Sequence, residues 1–136
     1  MSTWQYSYFA LKSTKLSAAQ IADRLRMPPD EVMVMGSRDP ERVRPRCHSW
    51  EIVRRSDESV DEQLEHIVDR LRPVREPLIA LVAEGNVVPV MQVVRYFRDD
   101  EDRHTPLGWH LDLPVLEFLV ATGAELDVDE YDYGWD

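Results

Sequence analysis

Cysteine occurs once in this chain, at Cys47, so no internal disulfide can staple it and nothing in it requires an oxidising compartment. No apolar run approaches the ~20 residues that cross a bilayer. The start, Met1-Ser2-Thr3-Trp4-Gln5-Tyr6, lacks the basic stretch and apolar segment of a secretory signal. Cations are outnumbered: 16 Lys and Arg stand against 26 Asp and Glu, a formal net charge of −10, which opposes binding to nucleic acid or anionic membrane. Glycine is scarce, at five residues, and no glycine-rich phosphate loop follows the first strand pattern. What is present is 136 residues, 43% of them hydrophobic, which suffices for one packed core and hardly for two. These balances point to a soluble, acidic, cytoplasmic domain occupying residues 1–136.

Trp4-Gln5-Tyr6-Ser7-Tyr8-Phe9-Ala10-Leu11 is aromatic and apolar on both faces, the pattern of a central strand. Ser17 and Gln20 form a capping box, with Leu16 and Ile21 as its hydrophobic staple, and Pro28-Pro29 stops the helix that follows, over about 17–27. Glu31 to Met35 reads as a short strand ended by Gly36, and 37–46 as a polar loop. In His48-Ser49-Trp50-Glu51-Ile52-Val53 the alternation turns Trp50 and Ile52 inward. Ser59 and Glu62 open the longest apolar stripe, from Leu64 to Val82. Pro73 and Pro77 should divide it into helices at about 59–72 and 76–84, because a proline inside a helix costs on the order of 3 kcal/mol. Val87 to Phe97 is a long strand, apolar on both faces, and Pro89 suggests that its start lies at an edge. Gly108 to Leu111 reads as a short strand. Asp112 then caps a helix with Pro114 in its first turn, and 125–131 forms a last, acidic strand.

This order gives an α+β fold: a mostly antiparallel sheet of five to six strands with about three to four helices. The first six elements suggest a ferredoxin-like split βαβ core, and a further β-α-β is added at the end. A doubly wound parallel sheet is also compatible with the alternating order. Polar interruptions in the apolar runs and the missing phosphate loop favour the α+β arrangement, with the helices mostly on one sheet face.

Several short pieces, in order and at matching spacing, carry a family resemblance. They are Tyr8-Phe9-Ala10-Leu11 ahead of Leu16-Ser17, the turn at Gly36, Ser49-Trp50-Glu51, His110-Leu111 before a helix, and the ending from Gly123 to Tyr131. The chain resembles the bacterial domain-of-unknown-function family 4279 over about residues 4–131. The resemblance implies a small bacterial α+β domain and brings no established activity.

Specific chemistry is sparse. His104 and His110 flank the acidic stretch Asp99 to Asp102, yet no pair has the spacing of a zinc motif, and a solvated acidic loop is the plainer reading. Cys47 and His48 are neighbours on a strand and so face opposite ways. No nucleophile elbow accompanies them, which leaves enzymatic activity unassigned and the weakest of three readings. No cofactor, metal or catalytic residue is expected. The feature with most content is charge segregation: Arg38, Arg42, Arg44 and Arg46 share one loop, while the 99–102 stretch and the 125–136 end are acidic. With Trp50, Trp109 and His110 the arginines could form a rim for an acidic partner or anionic ligand, since arginine and tryptophan anchor interfaces.

The leading expectation is a non-enzymatic protein-interaction module of the immunity or antitoxin kind. The alternative is a small-molecule sensor with a pocket near Trp50 and His110. Helices on one sheet face would leave the second apolar rows of the first and fourth strands bare. Either the last helix crosses to that face or two chains pair about a two-fold axis, and the shortness of that helix favours a homodimer.

Overall fold

The computed structural model describes residues 2–38, 44–98 and 108–132, the side chains of 2, 3 and 98 excepted. Strand β1 (Ser2–Ser13) leads into α1 (Ala18–Leu25), then β2 (Glu31–Met33) and β3 (His48–Arg55). Next come α2 (Val60–Leu71), a 3-10 turn (Arg72–Val74) and α3 (Arg75–Ala83), and finally β4 (Val88–Arg98), α4 (Leu113–Thr122) and β5 (Glu125–Asp132). The helix boundaries follow from the caps. The Ser17 hydroxyl accepts from the Gln20 backbone N–H while the Gln20 side chain accepts from the Ser17 N–H, and Arg26 closes α1 in the left-handed region ahead of the two prolines. Pro73 falls in the 3-10 turn that separates α2 from α3, as the proline spacing predicts. The Asp112 carboxylate accepts from Val115 N–H to start α4, and Gly123 ends it at φ +73°.

The five strands form one mixed sheet in the order β2-β3-β1-β4-β5. All neighbours run antiparallel except β4 and β5, which are parallel. The first four strands have the expected split βαβ order, with β1 in the middle. One detail differs from the sequence reading: residues 108–111 form no strand, so the addition is only α4 and β5. The start of β4 lies at an edge, as Pro89 suggests, because β5 begins to pair only at Val90 and leaves Val88 and Pro89 paired with β1 alone.

This strand order explains where the helices go. β3 and β4 are parallel to each other, each antiparallel to β1, and the chain moves toward the same edge when it passes from β3 to β4 and from β4 to β5. The passage from β1 to β2 runs the opposite way along oppositely directed strands. A right-handed crossover in each case places every helix on one face. The core confirms it: Phe9 and Leu11 of β1, Trp50 and Ile52 of β3, and Met91 and Val93 of β4 pack with Ile21, Leu64, Leu78 and Phe118 from the four helices. Phe9 meets Phe118 edge to face, with ring centroids 5.4 Å apart, so α4 covers the same face as the others. No described element covers the opposite face.

Candidate functional site

Among the described residues, those suggested for a rim do not come together. Trp50 is 0% exposed, and its indole Nε1 donates to the Met27 carbonyl at 3.1 Å, beyond the end of α1. It belongs to the core and offers no surface to a ligand. Trp109 is half-buried against the core edge, and His110 is tied to the first turn of α2, where its backbone N–H and its Nδ1 lie 3.0 and 2.8 Å from the Asp61 carboxylate. Arg38, Arg44 and Arg46 are exposed and sit ahead of β3, whereas α2 follows that strand. β3 has eight residues, roughly 25 Å at ~3.3 Å per residue, so the arginines and the Trp109-His110 step lie toward opposite ends of the sheet. Arg42, Asp99 to Asp102 and His104 fall outside the described residues. Cys47 is partly buried, and the Nδ1 of its neighbour His48 accepts from Met35 N–H at 3.1 Å. Among the described residues no three His, Cys, Asp or Glu side chains gather as a metal set, and no helix is long and apolar enough to cross a membrane.

The surface with the most chemistry is the uncovered sheet face. Its rows follow from strand register, because directly paired residues share a face. One end carries Trp4, Tyr96 and Tyr131 side by side; the next rows carry Arg55, Tyr6, Val94 and Asp129, then Val53, Tyr8, Gln92 and Asp127, then Glu31, Glu51, Ala10, Val90 and Glu125. The aromatic rings touch one another. Trp4 and Tyr96 lie 4.9 Å apart by centroid, Tyr96 and Tyr131 stack at 5.0 Å, and Tyr6 stacks on Tyr8 at 6.1 Å. The Arg55 guanidinium, ion-paired with Glu31, lies 4.5 Å from the centre of the Tyr6 ring.

Polar groups on this face are unusually buried for a face without a cover. Ser49 is fully buried, Gln92 is 3% exposed and Glu51 8%. The Ser49 hydroxyl donates to Glu51 Oε2 at 2.7 Å. Burial, together with Glu31 directly opposite, holds the Glu51 carboxyl above the usual carboxylate range, against the lowering pull of Ser49, Lys12 and Arg55. Burial also pushes the Tyr8 phenol up, with the nearby charge of Glu51, Asp127 and Asp129 adding to it. Ala10, at the centre of these rows, is fully buried between Tyr8 and Lys12 along β1 and between Glu51 and Val90 across it. Chemically the face can stack on planar or cationic groups and accept hydrogen bonds.

The sequence pattern sets Tyr6 and Tyr8 opposite Phe9 and Leu11 as part of a second apolar row, and what it misses is their union with Trp4, Glu51, Gln92, Tyr96 and Tyr131 on one face. The available signal was aromatic residues at every second position of the first strand pattern, Trp4, Tyr6 and Tyr8, on the side away from Phe9 and Leu11.

Fold and surface together define an α+β protein built on a split βαβ sheet, helices on one side and an aromatic, acid-edged face on the other. The chain belongs to the family described as a domain of unknown function (DUF4279), which matches residues 2–133. This is the family that the short sequence pieces indicated. Neither the curated proteins nor the solved structures provide a match to it.

Proposed function

We propose that this chain is a non-enzymatic protein-interaction module, of the immunity or antitoxin kind, that holds a cationic protein partner against its uncovered sheet face. The observation that supports this reading is the face itself: five contiguous strands whose bare side joins touching aromatic rings to Glu51, Asp127 and Asp129. Aromatic faces and carboxylates both attract ammonium and guanidinium groups, and tyrosine and tryptophan are the residues that dominate interface energetics. A net charge of −10 would steer such a partner inward over longer range. The sensor reading has less to stand on, since buried Trp50 and surface His110 line no common pocket.

The test is co-expression with the product of the neighbouring gene, followed by purification. A basic partner should co-purify, dissociate as salt rises, and bind at least tenfold more weakly to the double variant Trp4→Ala/Tyr131→Ala, roughly the loss of one interface anchor. A complex that ignores both salt and that double variant would overturn the reading.

A further inference from the structure

The sheet ends in two edges, β2 and β5, and they differ in character. β5 carries Glu125, Asp127, Asp129, Glu130 and Asp132, and charges of this density keep an edge from taking another strand. β2 has one carboxylate, Glu31, which is ion-paired with Arg55. The chain then runs through Val32, Met33, Val34 and Met35, which are 50, 40, 52 and 41% exposed. β3 pairs with one side of β2, and no described element takes the other. An apolar edge left open in this way is a template for a further strand.

Beside that edge lies a groove of about 390 Å³, lined by Ala18 and Ala19 from the first turn of α1, by Pro29, and by Val32 and Val34. The polar atoms that reach it are engaged: Ser17 Oγ accepts from Gln20 N–H, and His48 Nδ1 accepts from Met35 N–H. The groove therefore suits an apolar side chain. Cations gather at the same edge. Gly36 N–H donates to the Pro45 carbonyl at 3.0 Å, which ties the segment bearing Arg44 and Arg46 to the end of the apolar stretch. Residues 12–19, 32–38 and 44–50 hold Lys12, Lys15, Arg38, Arg44 and Arg46 and no Asp or Glu, in a chain of net charge −10.

We infer that β2 takes up an extended, acidic segment of a partner protein as a further strand, with an apolar side chain of that segment in the groove beside α1 and its carboxylates toward Arg38, Arg44 and Arg46. Backbone hydrogen bonds along the open edge give such a pairing its affinity, and the alternate side chains give it specificity. The surrounding cations select acidic segments over basic ones. Val32 pairs directly with buried Trp50, so the groove lies on the helical side of the sheet. This surface is separate from the uncovered face and does not depend on the role given to that face.

The test titrates a blocked peptide of alternating Asp and Val into the isotope-labelled chain while backbone amide resonances are followed. Controls are the same peptide with Lys in place of Asp, and the acidic peptide with every second amide N-methylated. The acidic peptide should shift Ala18, Ala19 and Val32 to Met35 saturably and weaken as salt rises, and the Lys peptide should not bind there. N-methylation should weaken binding about tenfold, roughly the loss of one or two backbone hydrogen bonds. Val34→Asp, at an exposed position, should keep the fold and abolish the shifts, and Arg44→Ala/Arg46→Ala should weaken them several-fold. Equal binding of the N-methylated peptide, or shifts at β5 or on the uncovered face in place of β2, would overturn the added strand. Self-association of the chain that Val34→Asp abolishes would overturn it in favour of a second copy on this edge.

Discussion

At the scale of single residues, Trp50 shows how burial settles a role. Its side chain fills the core and its one polar atom is satisfied, so Trp50→Ala should cost about 3–5 kcal/mol of unfolding free energy, measurable by denaturant titration. Asp30 is a smaller clamp. Its carboxylate meets Arg70 of α2 at 2.5 and 3.0 Å and accepts from Val53 N–H of β3 at 2.8 Å, while its own N–H reaches the Glu51 carbonyl. Burial pulls the Asp30 pKa upward, and the bonds from Arg70 and Val53 outweigh it and leave it low. Its contribution is therefore present above the ordinary carboxylate range and lost as pH falls through the native value. Solvent screening of a pair this exposed limits the cost of Asp30→Asn to about 1 kcal/mol at neutral pH. Glu51 has the opposite sign. Its native state holds the proton more tightly than the unfolded chain does, so its contribution exists at low pH and disappears as pH rises through the raised value. Glu51→Gln should accordingly stabilise the protein at pH 7, and thermal melts should show that gain shrinking toward about pH 4. The groups facing it, Glu31, Lys12, Arg55 and Tyr8, remain in the variant.

At the scale of elements, much was legible because helix ends are local chemistry. Ser17 with Gln20, Ser59 with Glu62, and Asp112 with Gly123 each mark a boundary within a few residues of chain, and the structure places α1, α2 and α4 within two residues of those marks. Ser17→Ala should cost about 1 kcal/mol in the same denaturant titration. The 108–111 segment was misread because Gly108-Trp109-His110-Leu111 alternates like a strand, while its backbone N–H at His110 is spent on Asp61 instead of on a neighbouring strand. The rim was misread for a different reason. Arg38, Arg44 and Arg46 are near Trp50 in sequence, but a strand that starts after them turns that tryptophan into the core and carries the chain away. Replacing Arg42, Arg44 and Arg46 by alanine should change stability by less than about 0.5 kcal/mol each. Binding of a cationic partner to the sheet face should be unchanged by the same triple variant. Slower association with an acidic protein in that variant would establish a separate contact at that end of the sheet.

At the scale of the whole molecule, the bare face depends on strand order, which no single segment encodes. Once β1 is central, the handedness of the three crossovers puts α4 with the other helices, and the second apolar row of β4 stays uncovered by any described element. Neighbouring side chains shelter part of that row, since Val94 and Ala10 are buried while Val88 is exposed. A second copy of the chain is the competing occupant of the face. Stacked about a two-fold axis, two such faces would set Glu31, Glu51, Asp127 and Asp129 against one another. Sedimentation distinguishes the occupants: a homodimer of this kind should tighten as salt rises or pH falls, whereas a complex with a cationic protein should loosen with salt.

The central position of β1 also bears on how the chain is made. Its aromatic residues are synthesised before both strands that flank them: Ser7 pairs with Arg54 on one side and with Val93 on the other, so neither flank is closed until distant residues arrive. Contacts this far apart in sequence slow folding, because loop closure must precede any gain from pairing. During translation Trp4, Tyr6, Tyr8, Phe9 and Leu11 travel together as an unpaired, sticky strand. Growing chains of this protein thus have a long interval in which a chaperone can engage the β1 segment, and that interval closes when β4 leaves the ribosome.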